Sequence, residues 1–491
     1  MPIAPARDTH YAERQDHGMS TTAAFSSVPW AGSDVAWTAT GIAAAVRAGH
    51  ISPRAVTDEA LRRISERDGA LNAFARVRDA SARAEAAALT HHPELSQLPL
   101  AGVPVAIKES LLVSDQPGPD ESPAAGEQRS SSDHPVVARL RAAGAIIVGT
   151  TRMPQFSLYS ATDRPGVITR NPWNPQLTAG GSSGGAAAAV AAGMVPLAHG
   201  TDALGSVRIP AAACGLVGMK PGPGLVPRAL DGPDWFGMLE HGVLASTVAD
   251  VALGMSVIAE DAGLADTTLP TARLVIAVSQ KSAVTGVRVD DAYQRALSSA
   301  ATLLARAGNE VRSADPDYST RASLSVIARW FAVADQAVRA ADDPTAIERR
   351  VRAQARLGNL LGRTTLVDES PARAFTEAAQ QFLSAYDLLV TPALAQPPIQ
   401  AREWSDGSLL RTLQGTVPWT PFAAPWNQVG FPAIVVPTGK LHPRTRTPLA
   451  VQIVARRGRE QLLLAVAAQL ESVRPWSLVA PGYGGQPDPT D

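Results

Sequence analysis

The sequence has a single cysteine, Cys214, in 491 residues. A disulfide within the chain is therefore excluded, and so is a zinc site built from several cysteines. Aromatic residues make up only 5% of the chain and charged residues 18%, whereas hydrophobic residues make up 45%. This composition predicts a globular, aliphatic protein, and the cysteine usage predicts a reducing compartment, the cytoplasm.

The chain also has no excess of charge and no long hydrophobic run. Lys and Arg number 44 against 45 Asp and Glu, which gives a net charge of −1 and no electrostatic case for binding nucleic acid or an anionic membrane. Every apolar stretch is interrupted before about 18 residues, and the N-terminal stretch lacks the apolar run of a signal peptide. We expect a soluble protein with a small-molecule substrate, without nucleic-acid or membrane partners.

Alternating apolar patterns predict an α/β fold. Residues 38–48, 52–68 and 136–143 have helical spacing, while 102–107 and 145–149 look like short buried strands. Strands and helices continue to alternate toward the C-terminus, up to a strand at 451–454 and a helix at 460–472. With no linker of biased composition, the sequence favours one large domain on a mixed or parallel sheet.

Two segments carry hydroxyls in a glycine-rich backbone. Ser182 and Ser183 lie within residues 180–185, where little side-chain bulk shields the main chain, and Ser206 follows Gly205 in a turn-like segment. Acyl transfer needs an attacking hydroxyl beside backbone amides that stabilise the oxyanion. A flexible turn or an anion-binding nest is the alternative for the first segment taken alone.

A general base is needed to activate such a hydroxyl. None of the nine histidines lies in a recognisable triad motif, and His199 sits in an apolar run typical of a core residue. Lys108, at the end of a predicted buried strand, is the better candidate. A lysine base must be neutral, and lowering its pKa from about 10.4 to about 7 corresponds to roughly 4.6 kcal/mol, the kind of shift that burial supplies. Pairing of Lys108 with Glu109 or another carboxylate is the alternative.

Taken together, these segments resemble the amidase signature family over about residues 38–476. Residues 102–109 resemble its lysine motif, 180–185 its glycine-serine loop and 205–211 its nucleophile segment. The 24 positions from 182 to 206 single out Ser182 rather than Ser183 as the bridging serine. The resemblance implies a triad of Ser206, a cis-Ser182 and Lys108.

The resemblance also implies a mechanism. Neutral Lys108 accepts a proton from Ser182, which takes one from Ser206 as it attacks the amide carbonyl; an acyl-enzyme forms and water releases it. No metal or organic cofactor is required. The oxyanion hole is expected from the backbone N–H groups of Ala203, Leu204, Gly205 and Ser206. The supporting residues are expected to be Ser183, Asp202 and Arg208.

The implied fold is a single α/β/α domain with a large twisted mixed β-sheet flanked by helices, over residues 31–480. Residues 1–30 are expected to form a polar, disordered leader and residues 481–491 a flexible tail. Cys214 is expected to pack in the core. The aromatic residues expected near the substrate are Phe156, Tyr159, Trp330 and Phe331, with core packing as the alternative for each.

The sequence departs from the family pattern in three places. Ala203-Leu204-Gly205 stands where the family usually has Thr-Gly-Gly, so that Leu204 adds bulk near the acyl pocket. Gln155 stands where Glu is common, and the loop 111–132 lacks the usual Thr-Thr. The expected consequences are a narrowed, weakened or absent activity and a different substrate mouth.

Three functions follow from these observations. The first is a free-standing amidase that hydrolyses a small or medium carboxamide, with an aryl or acyl amide suggested by the apolar residues, and with a homodimer as the expected assembly. The second is the glutamine-hydrolysing subunit of a tRNA amidotransferase, which would require partner chains. The third is a non-catalytic binding protein derived from the fold.

Overall fold

The computed structural model describes residues 36–117, 130–228, 235–269 and 272–484. The predicted leader, residues 1–30, lies outside the described residues, as do residues 485–491 of the predicted tail. The domain described below therefore corresponds to most of the predicted 31–480.

Short strands account for the central layer. In chain order the strands are β1 (Phe74–Val77), β2 (Pro104–Lys108), β3 (Ile146–Thr151), β4 (Asp163–Arg164), β5 (Val167–Ile168), β6 (Arg170–Asn171), β7 (Asn174–Thr178), β8 (Leu197–Asp202), β9 (Val217–Lys220), β10 (Glu240–Ala245), β11 (Val275–Val278), β12 (Glu310–Ser313), β13 (Leu388–Pro392), β14 (Ala433–Leu441) and β15 (Pro448–Ala455).

Eleven of these described strands form one sheet in the order β1-β3-β2-β8-β10-β9-β14-β15-β13-β11-β12. Strand β2 runs parallel to β3 and β8, and β11 runs parallel to β12 and β13, whereas the other neighbours are antiparallel. The predicted large mixed sheet is confirmed. The pairs β4–β5 and β6–β7 form two small separate sheets, which two-residue strands make hard to detect from a period-two pattern.

Helices pack around this sheet. They are α1 (Ala39–Arg47), α2 (Pro53–Leu71), α3 (Asp79–Leu89), α4 (Pro135–Ala142), α5 (Gly184–Ala191), α6 (Arg208–Cys214), α7 (Val248–Ala259), α8 (Asp291–Arg306), α9 (Thr320–Ala340), α10 (Arg349–Leu361), α11 (Glu369–Phe382), α12 (Leu409–Thr416), α13 (Ala424–Gln428) and α14 (Glu460–Val473). Of the helices described, none is long and apolar enough to cross a membrane.

Burial on both faces explains the composition of the central strands. Every residue of β2, β3 and β8 is buried, so helices cover the sheet on each side, and such strands are almost continuously apolar. Helix α5 consists of Gly, Ala and Val and is buried throughout. A Cβ on Gly185 would lie 2.3 Å from the carbonyl oxygen of Ala73, so only glycine lets this helix approach so closely. The serine loop that precedes α5 is thereby held in the core.

A buried ion network joins α10 to the rest of the domain. Arg350 is fully buried, and its guanidinium donates to Glu348 Oε2 at 2.7 Å and to Asp163 Oδ1 at 3.2 Å. Its carbon Cζ lies 4.1 Å from the ring centroid of Tyr159. The Glu348 N–H donates to Gln155 Oε1 at 2.8 Å, so Gln155 ties the start of α10 to the domain. Two buried carboxylates therefore share one guanidinium.

This arrangement predicts a pH-dependent stability. Burial raises the pKa of Glu348 from 4.5 to about 7, against the opposing charge of Arg350. The folded state therefore holds a proton that the unfolded chain releases, and the unfolding free energy falls as pH rises from about 4.5 through about 7. Glu348→Gln should reduce the loss of unfolding free energy between pH 5 and pH 8 by about 1–3 kcal/mol, measured by urea unfolding. Glu377→Gln, at an exposed position on α11, is the control, and an unchanged pH slope in Glu348→Gln would contradict the assignment.

Candidate active site

Lys108 is the last residue of β2, and both it and Ser182 are fully buried. Its Nζ donates a hydrogen bond to Ser182 Oγ at 2.6 Å and another to Thr201 Oγ1 at 2.7 Å. The parallel pairing of β2 with β8 brings the ends of the two strands together and explains the contact with Thr201. The structure thus joins the predicted base to the predicted relay serine across 74 positions of sequence.

The serine loop lies between β7 and α5. The peptide bond between Gly181 and Ser182 is cis, as the resemblance implies. A Cβ on Gly181 would lie 2.5 Å from the carbonyl oxygen of Tyr159, so this position requires glycine. Ser183, the neighbouring serine, donates its N–H to the Ser206 carbonyl at 3.1 Å and its Oγ to the Thr201 carbonyl at 3.3 Å. Ser183 therefore links the serine loop, residues 180–185, to the segment that carries Ser206, residues 203–207, which is called the nucleophile turn below.

The nucleophile turn connects β8 to α6. Ser206 is half-buried, and it contributes to the wall of a cavity described below. Gly205 has φ +116°, a conformation that side chains rarely permit, and a Cβ there would lie 2.5 Å from the Cβ of Ala423. Within the described residues the Ser206 hydroxyl makes no hydrogen bond, so it remains available to an incoming carbonyl group.

The carboxylate of Asp202 holds the backbone of this turn through hydrogen bonds. It is fully buried, and its carboxylate accepts hydrogen bonds from the N–H groups of Gly205 at 2.7 Å, Val207 at 3.2 Å and Arg208 at 3.3 Å. Asn427 Nδ2 donates to the same carboxylate at 2.9 Å. One side chain therefore fixes the backbone on both sides of Ser206.

Arg208, one of the expected supporting residues, completes the network through an ion pair with Asp202. Its guanidinium donates to Asp202 through Nε at 2.9 Å and Nη2 at 3.0 Å, and also to Gln452 Oε1 at 2.7 Å and Asn427 Oδ1 at 2.6 Å. Burial by itself raises the pKa of Asp202, but the charge and hydrogen bonds of Arg208 outweigh it and hold the pKa well below its usual range. Asp202 stays ionised and cannot serve as a proton donor near neutral pH.

The four expected oxyanion donors are not equivalent. The N–H of Gly205 donates to Asp202 Oδ1, because the carboxylate folds back under the turn, so this member of the predicted set is already occupied. In the part of the chain that the structure describes, the N–H groups of Ala203, Leu204 and Ser206 have no protein acceptor. Three donors rather than four are therefore free to meet a developing oxyanion.

Glu109 and His199 have partners of their own, apart from Ser182 and Ser206. Glu109 Oε1 accepts from Arg164 Nη2 at 2.6 Å and from the Met153 N–H at 2.8 Å, which gives this carboxylate a partner of its own. His199 Nε2 lies 3.1 Å from His241 Nδ1, and burial together with the neighbouring charges of His241, His134 and Lys108 holds its pKa well below 6.5. The structure therefore places His199 in the core, as expected.

Cys214 also packs in the core. It is buried, and its Sγ lies 3.4 Å from the Ala179 carbonyl oxygen. Burial raises its pKa well above the usual value, so the thiol stays protonated and unreactive. Among the residues described, no group of three or more His, Cys, Asp or Glu is arranged to hold a metal ion.

A cavity of about 510 Å³ opens beside the nucleophile turn, lined by Ser206, Leu204 and Gly181 and by mostly apolar side chains. Of the four predicted aromatic residues, Tyr159, Trp330 and Phe331 line it. Phe156 is not among the lining residues: it has φ +52° in the turn before Tyr159 and packs on the hydrophobic cluster to which Tyr159 belongs. Lys281 is the only charged residue among the described lining residues.

Thr201 is a functional candidate that the sequence argument missed. Its hydroxyl lies 2.7 Å from Lys108 Nζ, as close as the relay serine, and its side chain is buried. Thr201 directly precedes Asp202 in the sequence, which is the one local signal that marks it. Its contact with Lys108, however, depends on the register of two strands, which the sequence does not show. Thr201 Oγ1 accepts a hydrogen bond from an N–H of Lys108. This contact can orient the amine so that its lone pair points toward Ser182, as proton transfer from Ser182 requires.

The chain is similar to several known proteins over most of its length. A family model described as Amidase matches residues 55–464. AmiB2 of Mycobacterium tuberculosis, named for an inferred amidase activity, is 35% identical over 426 residues, which cover 85% of this chain and 92% of that protein. An acylamidase of Rhodococcus erythropolis is 31% identical over 472 residues, covering 89% and 96%. The crystal structure of a bacterial aryl acylamidase superposes with a TM-score of 0.79 and 25% identity, covering 93% of this chain and all of the other.

The contact of Thr201 with Lys108 leads to a test. Lys108 becomes charged when it takes the proton, and a hydrogen bond to a charged group is worth about 1.5–3 kcal/mol. Thr201→Val should therefore lower kcat/KM by about 10- to 100-fold, whereas Thr201→Ser should retain most of it. Thr57→Val, at another buried threonine within α2, is the matched control for the loss of a hydroxyl. Full activity in Thr201→Val would show that the hydroxyl does not assist Lys108.

Proposed function

The chain belongs to the amidase signature family, and from that premise we propose that Ser206 is its nucleophile, Ser182 its proton relay and Lys108 its base. The protein is a hydrolase that acts on amide bonds. The observation that carries the assignment of residues is the 2.6 Å contact between Lys108 Nζ and Ser182 Oγ in a fully buried setting, beside the turn that presents Ser206.

The proposed first step is attack by Ser206. Its Oγ bonds to the amide carbon while its proton passes to Ser182, whose own proton passes to the neutral amine of Lys108. The oxygen of the former carbonyl gains negative charge, and the N–H groups of Ala203, Leu204 and Ser206 are the donors placed to stabilise it. The tetrahedral intermediate then has a protonated Lys108 close by.

The second step uses the same path in reverse. The proton returns from Lys108 through Ser182 to the departing nitrogen, because an amide anion is too poor a leaving group to depart unprotonated. The C–N bond breaks, the amine or ammonia leaves, and Ser206 carries the acyl group. Water then repeats the sequence in place of Ser206, which releases the carboxylate and regenerates the serine.

The cavity supports a substrate of small or medium size with an aryl or aliphatic portion. Its lining is mostly apolar and includes Trp330, Phe331 and Tyr159, which offer flat surfaces rather than ion-pair partners. The similar acylamidase and aryl acylamidase are named for amides of this kind. We propose the same substrate class for this protein.

The other two functions receive less support. Glutamine carries an ammonium and a carboxylate, yet the described lining offers Lys281 and no acidic side chain to match the ammonium. A binding protein without chemistry would have no need for an amine buried against two hydroxyls at 2.6 and 2.7 Å.

The proposal also includes a cytoplasmic location, consistent with a single buried cysteine, and a homodimer, to be tested by light scattering.

A fluorophosphonate probe tests the nucleophile directly. Intact mass spectrometry should show one covalent adduct on the wild-type protein and none on Ser206→Ala, because the probe reacts only with an activated serine. Lys108→Met and Ser182→Ala should retain the fold and lower kcat for an aryl amide by at least about 1,000-fold. Ser160→Ala removes another hydroxyl from the cavity wall and should keep full labelling. An adduct that persists on Ser206→Ala would refute the assignment.

A further inference from the structure

Leu204 places a large side chain directly beside the nucleophile. It is half-buried and shares the cavity wall with Ser206, two positions away. The Leu204 side chain also packs on a hydrophobic cluster that contains Tyr159, Trp235 and Met238. Leu204 is therefore held by packing where it borders the cavity.

The backbone of Leu204 has little freedom to withdraw. Asp202, two positions before it, is held by Arg208, and Gly205, immediately after it, donates its N–H to Asp202. The backbone of Gly205 also packs so closely on Ala423 that a Cβ at Gly205 would collide with it. A substrate that needs more room cannot obtain it by displacing this turn without breaking a buried ion pair.

The chemistry fixes where the substrate meets this side chain. The acyl carbon must come within bonding distance of Ser206 Oγ while its oxygen points to the N–H groups of Leu204 and its neighbours. In the proposed mode of binding, the carbon attached to the carbonyl lies next to the Leu204 side chain, which shares the cavity wall with Ser206. Groups further along the acyl chain extend into the wider cavity beside Trp330 and Phe331.

We propose that Leu204 is a specificity-determining residue, which restricts the enzyme to amides whose acyl group is unbranched at the carbon next to the carbonyl. This inference rests on the proposed function, since it assumes acyl transfer to Ser206. Two hydrogens on that carbon fit against Leu204, whereas an additional methyl group overlaps with it. Length and aromatic bulk further from the carbonyl are accepted by the cavity.

The test compares two isomeric anilides, the para-nitroanilides of hexanoic acid and of 2-methylpentanoic acid. The wild-type protein should prefer the linear substrate by at least about tenfold in kcat/KM, the range expected for one misplaced methyl group. Leu204→Ala should increase kcat/KM for the branched substrate, relative to the linear one, by about tenfold. Leu204→Met conserves volume and should keep the wild-type preference.

Leu324→Ala is the matched control, because it makes the same change in the same cavity at a side chain on α9 that is 47% exposed. It should leave the ratio between the two substrates unchanged. Three outcomes would overturn this inference but leave the proposed function intact. They are an unchanged ratio in Leu204→Ala, an equal shift of the ratio in Leu324→Ala, and a wild-type protein that turns over both anilides without preference. A wild-type protein that hydrolyses neither anilide and is not labelled by the fluorophosphonate would overturn the proposed function together with it.

Discussion

The buried ion pair between Asp202 and Arg208 is the interaction on which the rest of the site depends. Taking two charges out of water is costly and is tolerated only when nearly every donor and acceptor is satisfied. Here the carboxylate binds three backbone N–H groups of one turn, and the guanidinium reaches Gln452 on β15 and Asn427 on α13. The ion pair and its hydrogen bonds therefore act together with the close packing around Gly205, at φ +116°, to hold this turn in place.

The sheet and the helices contribute different parts of the site. The ends of β2 and β8 bring Lys108 and Thr201 together, and the loop before α5 places Ser182 against Lys108. These three side chains are buried, whereas Ser206 is half-buried at the cavity. The cavity wall includes Leu204 and Ser206, together with residues of α9, α12 and α13. The proposed reaction and the choice of substrate therefore meet at the turn between β8 and α6.

The sequence predicted features that depend on neighbouring residues better than contacts between residues far apart in the chain. Lys108, Ser182 and Ser206 were identifiable because each lies in a local pattern of glycine and buried strand residues, and the core positions of His199 and Cys214 followed from their apolar surroundings. Thr201 escaped notice because its contact with Lys108 depends on strand register. Phe156 was predicted to lie near the substrate with Tyr159, but it lies in a turn with positive φ and is not among the residues that line the cavity.

By itself the sequence determined which groups could take part in chemistry and roughly which strands and helices carry them, because side-chain type and hydrophobic period are local properties. Only the tertiary structure decided that the Gly205 N–H is occupied by Asp202, that Thr201 contacts the amine of Lys108 and that Leu204 and Ser206 share the wall of a cavity of about 510 Å³. The reason is physical: a hydrogen bond or a steric contact exists only where two groups lie within a few ångströms. That separation is set by the packing of distant segments, which no local pattern encodes.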